Sequence, residues 1–170
     1  MASTIAMISK AATDWSIEVT PTGATKIESF RDCLPPGTTV NVTFLPGTDP
    51  AETIAVAERL HNDGMRPVPH LAARSLRDAD QLDELLTAFT SRCGVDEVLC
   101  IGGGVDKPVG TFDATIQVLE AGLIQKHGIR SVGVAGHPEG SPDISDEEVA
   151  EALAAKNALA ARDGLNLYIE

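Results

Sequence analysis

Short apolar runs rich in β-branched residues alternate along this chain with longer amphipathic segments. The short runs occupy residues 15–19, 39–44, 66–71, 97–101, 131–135 and 165–169. Their length and their Val and Ile content predict six strands. Helical periodicity is found between them, at about 24–34, 50–62, 75–92, 111–126 and 145–162. Strict alternation of strand and helix predicts an α/β fold with a parallel sheet and right-handed crossovers.

Turn and capping residues support these bounds. Asp49 before Pro50 is typical of an N-cap with proline at the first helical position. Gly64 follows the same segment as a C-cap signal. The third short run contains Pro67 and Pro69, which would be unusual in a central strand of an open sheet because proline has no N–H to donate.

Two architectures fit this alternation, an open doubly wound sheet and a (β/α)₈ barrel. A barrel has eight units and typically about 250 residues, whereas this chain has 170. We predict a parallel βα repeat of the TIM-barrel type that is incomplete, with about six strands and five helices. Residues 1–170 are expected to form one domain.

The charge of the chain narrows the classes of partner. Thirteen basic residues stand against twenty-five acidic ones, which gives a formal net charge of −12. Such a surface repels phosphate backbones and argues against a nucleic-acid partner. It does not exclude a small anionic ligand, because local dipoles act over a few ångströms.

The cysteines and the hydropathy of the chain indicate the cellular compartment in which the protein is expected. Cys33, Cys93 and Cys100 form an odd set without metal-ligand spacing, so we expect reduced thiols. No segment has the length of a membrane span or the pattern of a secretory leader, which favours a cytoplasmic location without membrane contact. If the chain really stops on its sixth strand, it leaves an unpaired sheet edge, which predicts either pairing with another chain, as in a homo-oligomer, or poor solubility.

Polar or glycine residues follow the carboxyl ends of successive predicted strands, where both architectures bind ligands. In chain order they are Glu18, Thr43, His70, Gly102, Gly103, Gly104, His137 and Glu139.

Two of these residues suit proton transfer or hydrogen bonding to a ligand. Glu18 lies in an apolar run, where partial desolvation of its carboxyl would suit a general acid. The alternative is a strand residue that faces solvent or forms a salt bridge. His70 follows two prolines at a strand end, and its alternative is a histidine at the edge of the core that bonds to backbone.

The three successive glycines do not complete a known phosphate-binding motif. No third glycine follows at the dinucleotide spacing, and Gly110 is followed by Thr111 rather than by the lysine of a Walker loop. A tight turn remains whose backbone can approach a flat or phosphorylated ligand. No metal site is predicted, because no His, Cys or Asp set has ligand spacing.

The ordered motifs resemble those of methylenetetrahydrofolate reductases over about residues 14–170. The matching segments are Ser16-Ile17-Glu18-Val19-Thr20-Pro21 (Ser-Phe-Glu-Phe-x-Pro in the family), Asn41-Val42-Thr43-Phe44 (Val-Thr-Tyr), Pro69-His70-Leu71 (Pro-His-Leu) and Val134-Ala135-Gly136-His137-Pro138-Glu139 (Ala-x-Tyr-Pro-Glu). Lys156 stands where the family has a lysine that binds the flavin phosphate.

The resemblance implies a (β/α)₈ barrel that reduces 5,10-methylenetetrahydrofolate in one-carbon metabolism, with FAD carrying hydride from NAD(P)H. It implies that Glu18 is the general acid that protonates the folate. It also implies cofactor contacts from Thr43, His70, Gly102, Gly103, Gly104, Ala135, His137 and Lys156.

Three departures from the family pattern leave alternatives open. Gly102-Gly103-Gly104 replaces an Arg-Gly-Asp that holds the flavin, and Asp106 is a candidate substitute for the acid. His137 replaces a stacking tyrosine, and the chain ends before the Thr-Gln that would follow the sixth strand. Direct hydride transfer from a nicotinamide to folate, a non-catalytic folate- or nucleotide-binding module, and an ordinary doubly wound domain are the alternatives.

Overall fold

The computed structural model describes residues 15–140 and 144–170, which build a single parallel sheet. Its strands are β1 (Ser16–Val19), β2 (Thr39–Val42), β3 (Arg66–Ala72), β4 (Glu97–Ile101), β5 (Ser131–Val134) and β6 (Asn166–Ile169). Each strand pairs in parallel with the next along the chain, in the order β1-β2-β3-β4-β5-β6. The predicted α/β parallel repeat is confirmed. An order without a reversal is that of a barrel wall rather than of a doubly wound sheet.

Helices connect successive strands of this sheet. They are α1 (Pro21–Ala24), α2 (Pro50–Asn62), α3 (Ala79–Cys93), α4 (Thr115–Glu120), α5 (Leu123–Lys126) and α6 (Asp146–Asp163), with a 3₁₀ turn at Ala73–Ser75. The longer ones begin at side-chain caps that satisfy free N–H groups. Asp49 accepts from Ala51 N and Asp78 from Gln81 N, while Ser145 and Glu148 form a capping box.

The apolar core lies between the sheet and these helices. On β4 and β5 the buried residues Val98, Cys100, Val132 and Val134 belong to one cluster with α3 residues such as Phe89. A second cluster covers β1 and β2 around Val40, Val42, Phe30 and Leu60. The opposite face of the sheet carries alternate residues that include polar side chains. The candidate functional residues are therefore to be sought on that second face and at the strand ends.

The helix predicted over 24–34 is wrong, because only α1 forms in this connection, followed by turns. The cause is a side chain from elsewhere in the sequence. The guanidinium of Arg59 on α2 donates to the carbonyls of Ala24, Ile27 and Glu28, and lies 5.0 Å over the ring of Phe30. These carbonyls consequently bind a cation instead of continuing a helix.

The long helix predicted over 111–126 is divided into α4 and α5. Gly122 between them has φ 69°, a left-handed conformation that interrupts a right-handed helix. The start is also delayed to Thr115, because the Gln117 side chain accepts from the backbone N–H groups of Asp113 and Ala114. The helix predicted from residue 75 likewise begins later, at Ala79, where Asp78 caps it.

The two prolines of β3 are accommodated although β3 lies inside the sheet. Arg66 N donates to Thr38 O at 2.9 Å, toward β2. Because N–H groups alternate in direction along a strand, Pro67 and Pro69 stand at positions that would donate toward β4. The ladder between β3 and β4 begins only at the pair His70–Leu99. The prolines therefore remove donors where no ladder is formed.

Among the described residues, no helix combines the length and the apolar character needed to span a bilayer.

Candidate functional site

A cleft of about 750 Å³ opens at the carboxyl ends of β4 and β5 and is closed on one side by α6. This volume lies within the usual range for a small-molecule site. Six of the nine predicted site residues line it, namely Gly102, Gly103, Gly104, Ala135, His137 and Lys156. Predicted residues that follow β4 and β5 and one that lies on α6 therefore line the same cleft, as expected for the carboxyl edge of a parallel sheet.

The glycines form a wall of bare backbone in this cleft. Gly102 O accepts from Arg74 N at 2.9 Å, which ties the turn to the segment after β3. Gly103 has φ 95°, and a Cβ there would lie 3.3 Å from Ala72 Cβ. A side chain at Gly103 would therefore be both strained and crowded. Backbone amides without side chains allow a flat or phosphorylated ligand to approach closely.

His137 is exposed at the mouth of the cleft and has φ 47°. In the described ranges it is the only non-glycine residue with a positive φ. This conformation costs about 1–2 kcal/mol for an L-residue. It is held by a turn in which Gly140 N donates to His137 O at 2.9 Å. Local strain of this kind is concentrated at ligand-binding positions.

Lys156 supplies a positive charge from α6. Burial lowers the pKa of its ammonium, and the nearby Cys100 thiol opposes that shift. No carboxylate in the described part of the chain forms an ion pair with it. A half-buried cation without a carboxylate partner is suited to an anionic ligand group.

The remaining three predicted residues form a separate group on the face of β1 to β3 that points away from the helices. Thr43 Oγ1 donates to the carboxylate of Glu18. Against the larger effect of burial, the negative charge of Glu18 raises the pKa of the His70 imidazole, so all three residues lie close together. The expected partial desolvation of Glu18 is wrong, however, since its side chain is exposed. The reason is that β1 stands at the end of the sheet order, where no described strand covers it.

His70 is 5% exposed, and neither ring nitrogen has a partner among the described residues. The interpretation of a histidine bonded to backbone is therefore wrong. Burial lowers the pKa of its imidazole, and the negative charge of Glu18 partly opposes this. A buried ring with two free nitrogens can donate to and accept from a ligand.

Two charged residues of the cleft were not predicted. Arg74 lies in the 3₁₀ turn after β3, and its Nε donates to Asp113 O at 2.9 Å and to Asp113 Oδ1 at 3.3 Å. The sequence signal that could have identified Arg74 is its position as a basic residue just past the end of a predicted strand.

Asp106, the candidate substitute for the missing acid, is exposed and does not line the cleft, whereas Asp113 does. Glu139 is exposed in the loop after β5 and does not line the cleft either.

A polar pair that the sequence did not indicate lies on the same face as Glu18. The Tyr168 hydroxyl donates to Glu97 Oε1 at 2.8 Å, and both residues line a cavity of about 180 Å³ with Asn41. Asn41 Oδ1 is buried and has no partner within the described residues. Nor is any group of three or more His, Cys, Asp or Glu side chains arranged there to hold a metal ion.

No family model matches the chain.

Proposed function

We propose that this protein is an oxidoreductase of the methylenetetrahydrofolate reductase type, which transfers hydride from NAD(P)H, through FAD or directly, to 5,10-methylenetetrahydrofolate. One observation carries the proposal. The residues to which the resemblance assigns catalysis and cofactor binding lie at or near the carboxyl ends of β1 to β5 and on α6. Six of them line one cleft, and Glu18, Thr43 and His70 form a second group. The substrate class comes from the resemblance, and this placement of its residues supports it.

In this proposal the cleft at the ends of β4 and β5 holds the flavin. Its volume of about 750 Å³, its bare glycine wall and the unpaired charge of Lys156 suit a flat ring system with a phosphate. Gly103 and Ala135 would contact the ring system, and Lys156 would bind a phosphate oxygen. FAD supplies the two-electron chemistry when bound.

Glu18 is the proton donor in this proposal. It delivers a proton to a ring nitrogen of methylenetetrahydrofolate, which makes the one-carbon unit electrophilic. Thr43 Oγ1 donates to the carboxylate of Glu18 and fixes its orientation. A folate bound over the exposed face of β1 would exclude water from Glu18.

His70 orients the bound rings. It lies on β3, between β2 and β4 in the sheet order, and pairs in register with Leu99 on β4. Because burial favours the neutral imidazole, one ring nitrogen donates and the other accepts. The ring thus positions a heteroaromatic ligand without adding charge.

Oxidation of NADH with methylenetetrahydrofolate tests the proposal, with and without added FAD. Glu18→Gln should reduce turnover about 10²- to 10⁴-fold, the usual contribution of a general acid. Glu28→Gln, an exposed glutamate on the connection between β1 and β2, is the matched control and should be neutral. Unchanged turnover of the Glu18→Gln variant would remove the acid role. Activity without FAD and without a flavin spectrum favours direct hydride transfer.

A non-catalytic folate- or nucleotide-binding module is the second candidate. The exposure of Glu18 favours it, because an acid in water is poorly placed for proton transfer. The module predicts that methylenetetrahydrofolate or FAD binds in calorimetry while NADH is not consumed. Turnover that depends on Glu18 would contradict it.

A further inference from the structure

Arg74 is a second cation of the cleft, and it enters from the opposite side to Lys156. It follows β3, whereas Lys156 lies on the helix that follows β5, so the two charges flank the ends of β4 and β5. In a chain with a net charge of −12, two cations in one cleft create a local region that attracts anions. Asp113 is the only carboxylate among the described lining residues.

The backbone around Arg74 is fixed on both sides. Arg74 N donates to Gly102 O at 2.9 Å, and Arg74 O accepts from Val109 N at 2.8 Å. The loop after β4 is therefore laid against this residue. Such anchoring reduces the backbone entropy that a ligand would otherwise have to overcome on binding.

The guanidinium is only partly used by the protein. Nε donates to Asp113, while Nη1 and Nη2 have no hydrogen-bond partner in the described part of the chain. The Arg74 side chain is 39% exposed, and that of Asp113 is 68% exposed. A pair this exposed contributes little to stability. It leaves a fork of donors free beside the cleft, the geometry that binds phosphate bidentately.

The geometry points to an exchange of the counter-charge at this residue. A phosphate group of the ligand in the cleft binds Nη1 and Nη2 of Arg74, and Asp113, which bonds to Nε in the free protein, competes with that phosphate through its negative charge. The ligand class is an organic diphosphate, whose two anionic groups match cations on two sides of the cleft. The inference rests on the proposed function to the extent that both place the ligand in this cleft.

Calorimetric titration of the full chain with inorganic pyrophosphate tests the exchange. Arg74→Gln should weaken binding about 10-fold or more, as expected for the loss of a charge-assisted hydrogen bond. Asp113→Asn should strengthen binding several-fold, because it removes the competing charge and keeps an oxygen that can accept from Nε. Arg77→Gln is the matched control, since this arginine lies three residues on, pairs with Asp78 and does not line the cleft.

The opposite signs of the two variants separate ligand binding from a purely structural role. Loss of a structural contact would weaken binding in both, and that result would overturn the inference. So would wild-type affinity in Arg74→Gln, or absence of pyrophosphate binding by the wild-type protein. If Arg74→Gln fails to fold, Asp113→Asn decides alone, because its side chain is exposed. Absence of folate-dependent NADH oxidation, with the pyrophosphate pattern intact, would remove the proposed function and leave the exchange standing.

Discussion

The hydroxyl of Tyr168 on β6 reaches across β5 and donates to Glu97 Oε1 on β4 at 2.8 Å. Gly133 of β5 is the register partner of both Leu99 and Tyr168, so the phenol ring passes over a residue without a side chain. Glu97 Oε2 also accepts from Arg66 of β3 at 3.3 Å. A polar connection therefore crosses β3 to β6 on the face that points away from the helices.

Gly133→Ala should destabilise the protein by about 1–3 kcal/mol, the usual cost of overpacking. A Cβ at this position would lie 2.6 Å from Leu99 Cδ1 and 2.7 Å from Tyr168 Cζ. Denaturant unfolding measures the free energy. Gly102→Ala is the matched control, because a Cβ there meets nothing within 4 Å and should change stability little. Equal stability of the two variants would mean that Tyr168 does not pass over Gly133.

The pKa of Tyr168 should lie well above the ordinary value of about 10. Burial is the main cause, and the bond to Glu97 and its charge add to it. The chain contains one tyrosine, so an absorbance titration of tyrosinate reports this residue alone. Glu97→Gln should lower the pKa by removing the charge, while burial keeps it above 10. An ordinary pKa in the wild-type protein would contradict the buried geometry.

The raised pKa of Tyr168 makes the free energy of unfolding depend on pH in alkaline solution. The folded state prefers the neutral phenol, so the unfolded chain releases its proton first as pH rises. The contribution of Tyr168 is thus complete below about pH 10 and is lost as pH rises toward the folded pKa. Unfolding free energies measured across this window should fall less steeply in Tyr168→Phe than in the wild-type protein. Parallel slopes would show that other groups dominate.

His70 should give stability the opposite dependence, in mildly acidic solution. Burial lowers its pKa, so the unfolded chain binds the proton more tightly. The sign is that of a depressed pKa: the contribution is complete above the unfolded value of about 6.5 and is lost as pH falls through the folded value. His70→Gln should remove this part of the acid sensitivity.

The charge of Glu18 opposes the effect of burial on His70, which gives a second measurement. In Glu18→Gln the NMR titration of the His70 imidazole should move to lower pH. Comparison with His70→Gln assigns the signal among the four histidines of the chain. A His70 that titrates near its ordinary value in both proteins would indicate that water reaches the ring.

The strands and the sheet edge that carries the cleft could be predicted because both depend on local pattern. Val-rich runs of four to seven residues and glycines after them are readable from the sequence, and α2 has its predicted bounds, Pro50–Asn62. The connection at 24–34 could not be predicted, because Arg59, which captures its carbonyls, lies 31 to 35 residues away.

The candidate site also contains residues that local sequence could predict and residues whose role depends on distant parts of the chain. His137 and the glycines were found because they follow strands directly. Arg74 was missed because its significance depends on Asp113, which is 39 residues further along the chain and outside any motif. Glu18 lies on a predicted strand, but its exposure depends on the position of that strand at the end of the sheet order, which sequence periodicity does not report.

The three cysteines should differ sharply in their reactivity toward a thiol reagent. Cys33 is exposed, whereas burial raises the pKa of Cys93 to about 11 and that of Cys100 to about 12. Because the thiolate is the nucleophile, only Cys33 should react quickly at mildly alkaline pH. We expect one rapid equivalent in the native protein, none in Cys33→Ser, and three after denaturation of the wild-type chain. Rapid labelling of native Cys33→Ser would contradict the burial of Cys93 and Cys100 in the core.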